Sequence, residues 1–151
     1  MSTHRIMPYS PAEHDRLVEI WEKAVRATHH FLSEEDIVFY RQIVRDEALR
    51  AVEVWVEWNE QGLPVGFIGL ADTKIEMLFV DPLYRGMGIG SRLIRHAEQL
   101  KGNGLQVDVN EQNEEAAIFY KRYGFVQIGR SELDESGKPF PILHLELRRG
   151  E

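Results

Sequence analysis

Residues 85–91 have the composition of an anion-binding loop. Arg85 stands at the start of this stretch, and a helical pattern follows it. Glycines occupy alternate positions between them, at Gly86, Gly88 and Gly90. The first N–H groups of a helix lack partners within the helix and carry partial positive charge. Because glycine has no Cβ, the backbone can approach an anion closely, and Arg85 adds a charged donor. The spacing therefore predicts a loop that binds a pyrophosphate.

Other interpretations of this loop fit less well. A P-loop needs lysine and then serine or threonine after its last glycine, whereas Ser91 and Arg92 stand here. A dinucleotide fingerprint needs glycine in place of Ser91, although Asp108 lies about twenty residues after Gly88, where a ribose-binding acid is expected. The antiparallel strands predicted before the loop contradict the βαβ context, which disfavours a nicotinamide enzyme. A purely geometric turn is disfavoured by the strand before the loop and the amphipathic helix after it.

Capping residues and apolar spacing predict four helices around the loop. Ser10, with Pro11 after it, and Ser33 begin the first two. Asn113 begins the last, which Gly124 ends. The third spans about 90–101 and follows the loop directly. Its buried face is predicted to comprise Leu93, Ile94, Ala97 and Leu100.

Apolar alternation and short apolar runs predict the strands. In the run 52–58 the alternation indicates a half-buried strand that carries Glu53, Trp55 and Glu57 on one face. Three consecutive strands with short loops must be mostly antiparallel, because a parallel crossover needs a dozen or more residues. The strand after the third helix should lie parallel to 75–80. The predicted strands are 5–7, 52–58, 65–71, 75–80, 105–109, 125–128 and 143–147.

These elements predict one α+β domain over residues 1–151. A chain of 151 residues with 43% hydrophobic and 28% charged residues fits a globular domain rather than a disordered segment. The elements give a mixed, mostly antiparallel sheet of about six to seven strands, flanked by about four helices.

Charge and cysteine content exclude several function classes. The formal net charge of −7 argues against a nucleic-acid binder and against a polybasic membrane anchor. The chain has no cysteine, which excludes disulfides, thiolate metal sites and a cysteine nucleophile. No apolar run approaches the ~20 residues that span a bilayer, and no apolar signal core is present. The expectation is a cytoplasmic protein without a membrane or nucleic-acid partner.

Two motifs in combination resemble those of the GNAT N-acetyltransferases. The first is Arg-Gly-x-Gly-x-Gly from Arg85, after a strand that ends in Phe-Val-Asp-Pro. The second is Asn-x-x-Ala-x-x-Phe-Tyr-x-x-x-Gly-Phe from Asn113. The order of elements agrees over essentially the whole chain. Ala-Thr-His-His-Phe-Leu from Ala27 and the tail from Gly129 to Pro139 resemble the YjaB-like branch of bacterial acetyltransferases.

The resemblance implies acetyl-CoA as co-substrate and a place for it to bind. In this family the cofactor enters where two parallel neighbouring strands splay apart, here 75–80 and 105–109. Backbone groups of the first strand would pair with the pantetheine amides, like an added strand. The loop N–H groups would hold the pyrophosphate, and Asn113 and Asn110 the pantetheine arm. The implied cofactor-binding residues are Leu78, Phe79, Val80, Arg85, Gly86, Met87, Gly88, Ile89, Gly90, Ser91, Asn110 and Asn113.

The resemblance also implies catalytic roles. Tyr120 occupies the family position whose phenol reaches the CoA sulfur, so it is interpreted as the general acid; its reference pKa of about 10 keeps it protonated at neutral pH. The general base stays open between Glu76, on the strand beside the expected reaction centre, and the adjacent histidines His29 and His30. The segment His29, His30 and Phe31 between the first two helices is expected to contact the acceptor. His144 alternates with apolar strand residues and is interpreted as structural.

The sequence therefore predicts an N-acetyltransferase that moves the acetyl group of acetyl-CoA to a primary amine by direct attack in a ternary complex. A covalent acetyl-cysteine route is excluded because the chain has no cysteine. No metal is expected. The acceptor is a small-molecule or peptide amine that the sequence does not identify, and a homodimer stays open. The alternative is a non-catalytic module that binds or senses acyl-CoA.

Overall fold

A computed structural model describes residues 5–148, so residues 1–4 and 149–151 of the predicted domain lie outside the described part. The strands are β1 Arg5–Pro8, β2 Glu53–Trp58, β3 Pro64–Ala71, β4 Lys74–Val80, β5 Gln106–Asn110, β6 Phe125–Ser131 and β7 Ile142–Leu147. The helices are α1 His14–Thr28, α2 Glu34–Ile43, α3 Leu49–Ala51, α4 Ile89–Lys101 and α5 Glu114–Tyr123. A π-helical segment, Val44–Ala48, joins α2 to the single turn of α3.

The seven described strands form one mixed sheet in the order β1-β2-β3-β4-β5-β7-β6. Every neighbouring pair is antiparallel except β4 and β5, which are parallel. The predicted fold class is therefore confirmed, including the parallel central pair. Because β7 enters the sheet between β5 and β6, the C-terminal hairpin extends the sheet beyond β5.

Strands β4 and β5 are paired only at their N-terminal ends and then diverge. Only Lys74 with Gln106 and Ile75 with Val107 are paired between these two strands. On its other edge β4 stays paired with β3 up to Val80, but Glu76 is an extra residue there, between the pairs of Ile75 and Met77. Such a bulge bends its strand and increases the local twist. The edge of β4 beyond Ile75 that faces β5 is therefore open.

Two hydrophobic clusters cover the two faces of the sheet. Helix α4 buries Leu93 and Ile94 in one cluster, which also receives Ala117 from α5. Helix α1 buries Leu17 and Ile20 in the other cluster, on the opposite face of β2, β3 and β4. Burial of such side chains contributes about 1.5–3 kcal/mol each to folding. The sheet is thus a central layer with helices packed on both faces. The loop that follows β4 is therefore held between these two helical layers.

The structure corrects two sequence predictions of burial. Leu100, predicted on the buried face of the third helix, is 45% exposed near the end of α4. Glu57, placed by alternation on a solvent face of β2, is fully buried, because α4 packs over that face and supplies Arg92 as its partner.

Two of the predicted caps are confirmed, because the side chains of Ser33 and Asn113 accept backbone hydrogen bonds at the starts of α2 and α5. Ser10 instead precedes a 3-10 turn, Pro11–Glu13, and α1 begins after that turn at His14.

Candidate active site

The predicted phosphate loop lies between β4 and α4. Gly86 and Gly88 have φ values of +78° and +81°, which residues with a Cβ rarely adopt. Gly88 is the N-cap of α4, so the loop ends with the unpartnered N–H groups of a helix start. A Cβ on Gly86 would meet no atom within 4 Å, so the space above this backbone is open. The loop therefore presents backbone donors to an open space, as an anion site requires.

A buried ion pair supports the loop from inside the protein. Arg92 of α4 donates from Nη2 to Glu57 Oε2 at 2.6 Å, and Glu57 is fully buried on β2. Arg92 also donates from Nη1 to the Met87 carbonyl at 2.9 Å, which ties the loop to this pair. Nothing in the sequence indicated that Glu57 and Arg92 support the loop. Breaking a buried pair leaves an uncompensated charge, so this contact holds the loop in a defined position.

A second buried carboxylate holds the start of the loop. Asp81, directly after β4, accepts a hydrogen bond from the Leu83 N–H at 3.0 Å and another from Arg16 of α1 at 2.7 Å. Burial alone would raise the pKa of Asp81, but these two contacts bring that pKa below its usual value. The turn that leads from β4 into the glycine loop is therefore anchored to helix α1.

Three adjoining cavities cross the molecule at the splayed strands, with volumes of about 360, 210 and 230 Å³. The first lies on the glycine loop, the second lies between β4 and β5, and the third lies under α1 and α2. His29 and Phe79 line all three, so the cavities meet at these two side chains. The first cavity contains most of the predicted cofactor residues: Leu78, Phe79, Val80, Arg85, Gly86, Gly88, Ile89, Gly90, Ser91 and Asn113.

Tyr120 lies at the junction of the first and second cavities and lines both. Its side chain is otherwise buried among Phe119 and Phe125. Among the described residues its hydroxyl has no hydrogen-bond partner. Burial raises the pKa of Tyr120 above the usual value of a phenol, so it is protonated at neutral pH. A protonated phenol therefore lies at the boundary between the first cavity and the splayed strands.

His29 is held as a neutral imidazole where the cavities meet. The Thr28 hydroxyl donates to the Ala24 carbonyl at 2.8 Å, so it can only accept from His29 Nδ1, which lies 2.8 Å away. The Nε2 lone pair then faces the Asn113 amide nitrogen at 3.4 Å. Burial, and to a smaller extent the charge of the neighbouring His30, lower the pKa of His29 to about 4.

Glu76 and Asn110 both line the second and third cavities. Burial raises the pKa of Glu76, while Lys74, with its Nζ 3.9 Å from the carboxylate, opposes that change in part. The Asn110 Oδ1 atom is buried and has no hydrogen-bond partner within residues 5–148. An unpaired buried acceptor is costly, so Asn110 marks a position where a bound donor would be stabilised.

The remaining predicted residues lie at the edges of the site. Arg85 is exposed and pairs with Glu115 at 3.0 Å at the mouth of the first cavity. The Met87 side chain is exposed and lines none of the three cavities. His30 is exposed and also lines none of them, unlike its neighbour His29. Phe31 packs between the rings of His29 and Phe140 and thus supports the site from behind.

Comparison with known proteins places this site in a family. The acetyltransferase (GNAT) domain model matches residues 50–127. The chain is 44% identical over 133 residues to the peptidyl-lysine N-acetyltransferase YjaB of Salmonella typhimurium, covering 88% of this chain and 90% of that protein. It superposes on the solution structure of apo-form YjaB from Escherichia coli with a TM-score of 0.88 and 43% identity, covering 95% and 96% of the two chains.

A more distant neighbour shares the fold alone. The PaiA N-acetyltransferase of Thermoplasma acidophilum, in complex with coenzyme A, superposes with a TM-score of 0.78 at 21% identity over 99% of this chain and all of that chain. Together with the family match, the phosphate loop and the splayed strands, these findings show that the chain belongs to the GNAT family of acyl-CoA-dependent acetyltransferases. The chain belongs to the YjaB-like branch of this family. This confirms the expectation from the histidine-containing segment that begins at Ala27 and from the tail between Gly129 and Pro139.

Residues 5–148 contain neither a helix that could span a membrane nor a cluster of metal-ligating side chains. None of the helices within residues 5–148 is long and apolar enough to cross a bilayer. No group of three or more histidine, aspartate or glutamate side chains in that same range is placed to hold a metal ion.

The depressed pKa of His29 predicts a pH-dependent stability. The unfolded chain has an ordinary histidine pKa of about 6.5, so between that pH and about 4 it binds more protons than the folded protein. The free energy of unfolding should therefore fall as the pH decreases through this range. His29→Gln should reduce the fall measured by urea titration between about pH 7 and about pH 5 by on the order of 1 kcal/mol.

The matched control is His30→Gln, because His30 is the exposed neighbour. We expect the His30→Gln protein to keep most of the wild-type pH dependence, because burial is the larger of the two causes that lower the pKa of His29. Two results would contradict the burial of His29 as a neutral imidazole. One is a pH dependence of stability that His29→Gln leaves unchanged, and the other is titration of the His29 ring near pH 6.5 by NMR.

Proposed function

We propose that this enzyme acetylates the ε-amine of a lysine side chain in a protein, by direct attack within a ternary complex. The observation that carries the proposal is the meeting of three cavities at His29 and Phe79, beside Tyr120 and Glu76. An amine that enters through the third cavity would reach the first cavity where the two strands splay apart. No cysteine is present to form an acetyl-cysteine intermediate, which supports the direct route.

The residues of the first cavity fit acetyl-CoA, which supplies an activated acetyl thioester when bound. The glycine loop offers backbone donors for the pyrophosphate, with Arg85 at its mouth. The open edge of β4 beyond Ile75 offers strand groups of Leu78 and Val80 for amides of the pantetheine arm. A backbone N–H of this edge would also polarise the thioester carbonyl. This assignment rests on shape and donor chemistry, which suit a ligand with an anionic end and an amide chain.

Tyr120 is proposed as the general acid. Its hydroxyl lines the boundary of the first two cavities and carries its proton at neutral pH. The attack forms a bond from the amine nitrogen to the acetyl carbon, and the carbon–sulfur bond breaks. Tyr120 then donates its proton to the departing sulfur, which avoids release of a free thiolate.

Glu76 is proposed as the general base. A lysine amine has a pKa of about 10.4, so its proton must be removed before or during attack. Glu76 lines both cavities through which the amine would pass, and burial raises the pKa of its carboxyl above the usual value. His29 is the alternative in the same position, but a pKa of about 4 makes its imidazole a weak base. His30, which is exposed outside the cavities, has no support for this role.

The third cavity fits a long aliphatic ammonium side chain. Its walls are apolar and aromatic, and its few polar groups include the carboxylates of Glu76 and Asp134. Carboxylates in a half-buried slot favour a cation over a neutral ligand. The YjaB relatives are named peptidyl-lysine N-acetyltransferases, which agrees with this chemistry. We therefore infer lysine in a protein as the acceptor, rather than a nucleotide or an acidic metabolite.

A peptide pair tests this acceptor. One peptide carries a single lysine and the other carries norleucine in its place, and both have blocked N-termini. With acetyl-CoA we expect one acetyl group on the lysine ε-nitrogen, located by tandem mass spectrometry, and none on the norleucine peptide. A third peptide with a free N-terminus and no lysine is the control for α-amine transfer. Transfer to that peptide alone would overturn the lysine assignment.

The acid role predicts a selective loss in Tyr120→Phe. This change keeps the ring and removes only the proton donor, so kcat for the lysine peptide should fall by about 10²–10⁴-fold with little change in acetyl-CoA affinity. The matched control is Tyr123→Phe, on the same helix but outside the three cavities. Equal turnover of Tyr120→Phe and wild type would show that the hydroxyl has no part in sulfur departure.

A further inference from the structure

Asp108, which lines the second cavity, forms a hydrogen-bonded chain with His144 and Ser131 that leads away from the three cavities. His144 Nε2 lies 2.7 Å from the Ser131 hydroxyl oxygen, and His144 Nδ1 lies 2.7 Å from Asp108 Oδ1. Lys74 Nζ holds the second oxygen of Asp108 at 2.9 Å. Ser131 and His144 line none of the three cavities described above. The acetyl-transfer site therefore does not account for this arrangement.

The sheet order brings the three residues to one face. Asp108 of β5 pairs directly with His144 of β7, so their side chains lie side by side. Ser131 of β6 pairs with Ile142, two residues before His144, and thus lies diagonally across from the imidazole on that face. All three side chains remain partly exposed, with 33% of His144 and 25% of Asp108 accessible. A reagent of moderate size can therefore approach the Ser131 hydroxyl.

The hydrogen-bond directions are fixed by the carboxylate. Burial alone would raise the pKa of Asp108, but contacts from Lys74 and His144 lower it, so the carboxylate is ionised at neutral pH. An ionised carboxylate only accepts, so a neutral His144 carries its proton on Nδ1 and donates it to Asp108. Its Nε2 is then an acceptor, and the Ser131 hydroxyl must donate to it. A serine that donates to an imidazole oriented by a carboxylate is an activated nucleophile.

We infer that Ser131 is a second nucleophilic site, which takes the acyl group of an activated ester with His144 as base and Asp108 as the group that orients the imidazole. Ser131 Oγ bonds to the carbonyl carbon of the ester as His144 Nε2 takes the hydroxyl proton. The bond from carbon to the leaving oxygen then breaks, and His144 returns the proton to that oxygen. The products are acyl-Ser131 and the free alcohol or phenol. This site is independent of the proposed acetyl transfer to lysine.

A purely structural role for the same hydrogen bonds is the competing explanation, and covalent labelling separates the two. The whole protein is treated with a fluorophosphonate and, separately, with p-nitrophenyl acetate, and the modified residue is located by peptide mass spectrometry. We expect modification of Ser131 that is about 100-fold slower or more in His144→Ala. Ser136→Ala, which removes an exposed serine of the β6–β7 loop, should label like the wild type. Equal labelling of Ser131 and Ser136, or labelling unaffected by His144→Ala, would overturn the assignment.

A second measurement remains decisive if His144→Ala destabilises the sheet. Because the chain has no cysteine, Ser131→Cys introduces a single thiol beside the imidazole. Next to His144 this thiol should be alkylated with an apparent pKa below the ~8.5 of a free cysteine. The control is Ser136→Cys, whose thiol lies in the exposed turn. Identical pH profiles of alkylation for the two variants would show that His144 does not act on position 131.

Discussion

The structure depends on one departure from regular strand pairing, the extra residue at Glu76 in β4. Beyond Ile75 this strand keeps its partner β3 but no longer pairs with β5. Two strand edges with unpaired polar groups then face each other, and such groups are stabilised only when a partner is bound. The same divergence opens the second cavity, which connects the phosphate loop to the space under α1 and α2. The proposed cofactor cavity, the proposed acid Tyr120 and the proposed acceptor cavity are therefore connected where the strands diverge at this bulge.

Buried charges make the loop beyond this bulge rigid rather than adaptable. Asp81 is tied to Arg16 of α1, and Glu57 is tied to Arg92 of α4, so both ends of the loop are anchored to helices on opposite faces of the sheet. Burying a charge is costly, and here Asp81 accepts hydrogen bonds from Arg16 and the Leu83 N–H, while Glu57 accepts them from Arg92. A loop held in this way offers its N–H groups to an anion without first losing conformational freedom, which favours binding.

The sequence predicted the parts of the site that depend on local chemistry. It missed the parts that depend on which helices and strands pack against each other in the folded chain. Glycine spacing marked the loop from Gly86, and the capping residue Asn113 marked α5, because these patterns act within a few residues. Glu57 looked solvent-facing because alternation cannot show that a helix covers the second face of a strand. His29 and His30 are adjacent, and only the end of α1 decides which ring turns toward the cavities. The contact of Ser131 with His144 follows from β7 entering between β5 and β6, which no local pattern encodes.

Amide hydrogen exchange, followed by NMR with and without saturating coenzyme A, tests the role of the splayed strands most directly. Bound coenzyme A should slow exchange at Leu78 and Val80 of β4, whose N–H groups face the open edge, and at residues 86–91 of the glycine loop, because these amides gain hydrogen-bond acceptors. The amides of β1, at the far edge of the sheet, should be unchanged. Binding of coenzyme A without any slowing at Leu78 and Val80 would contradict the account.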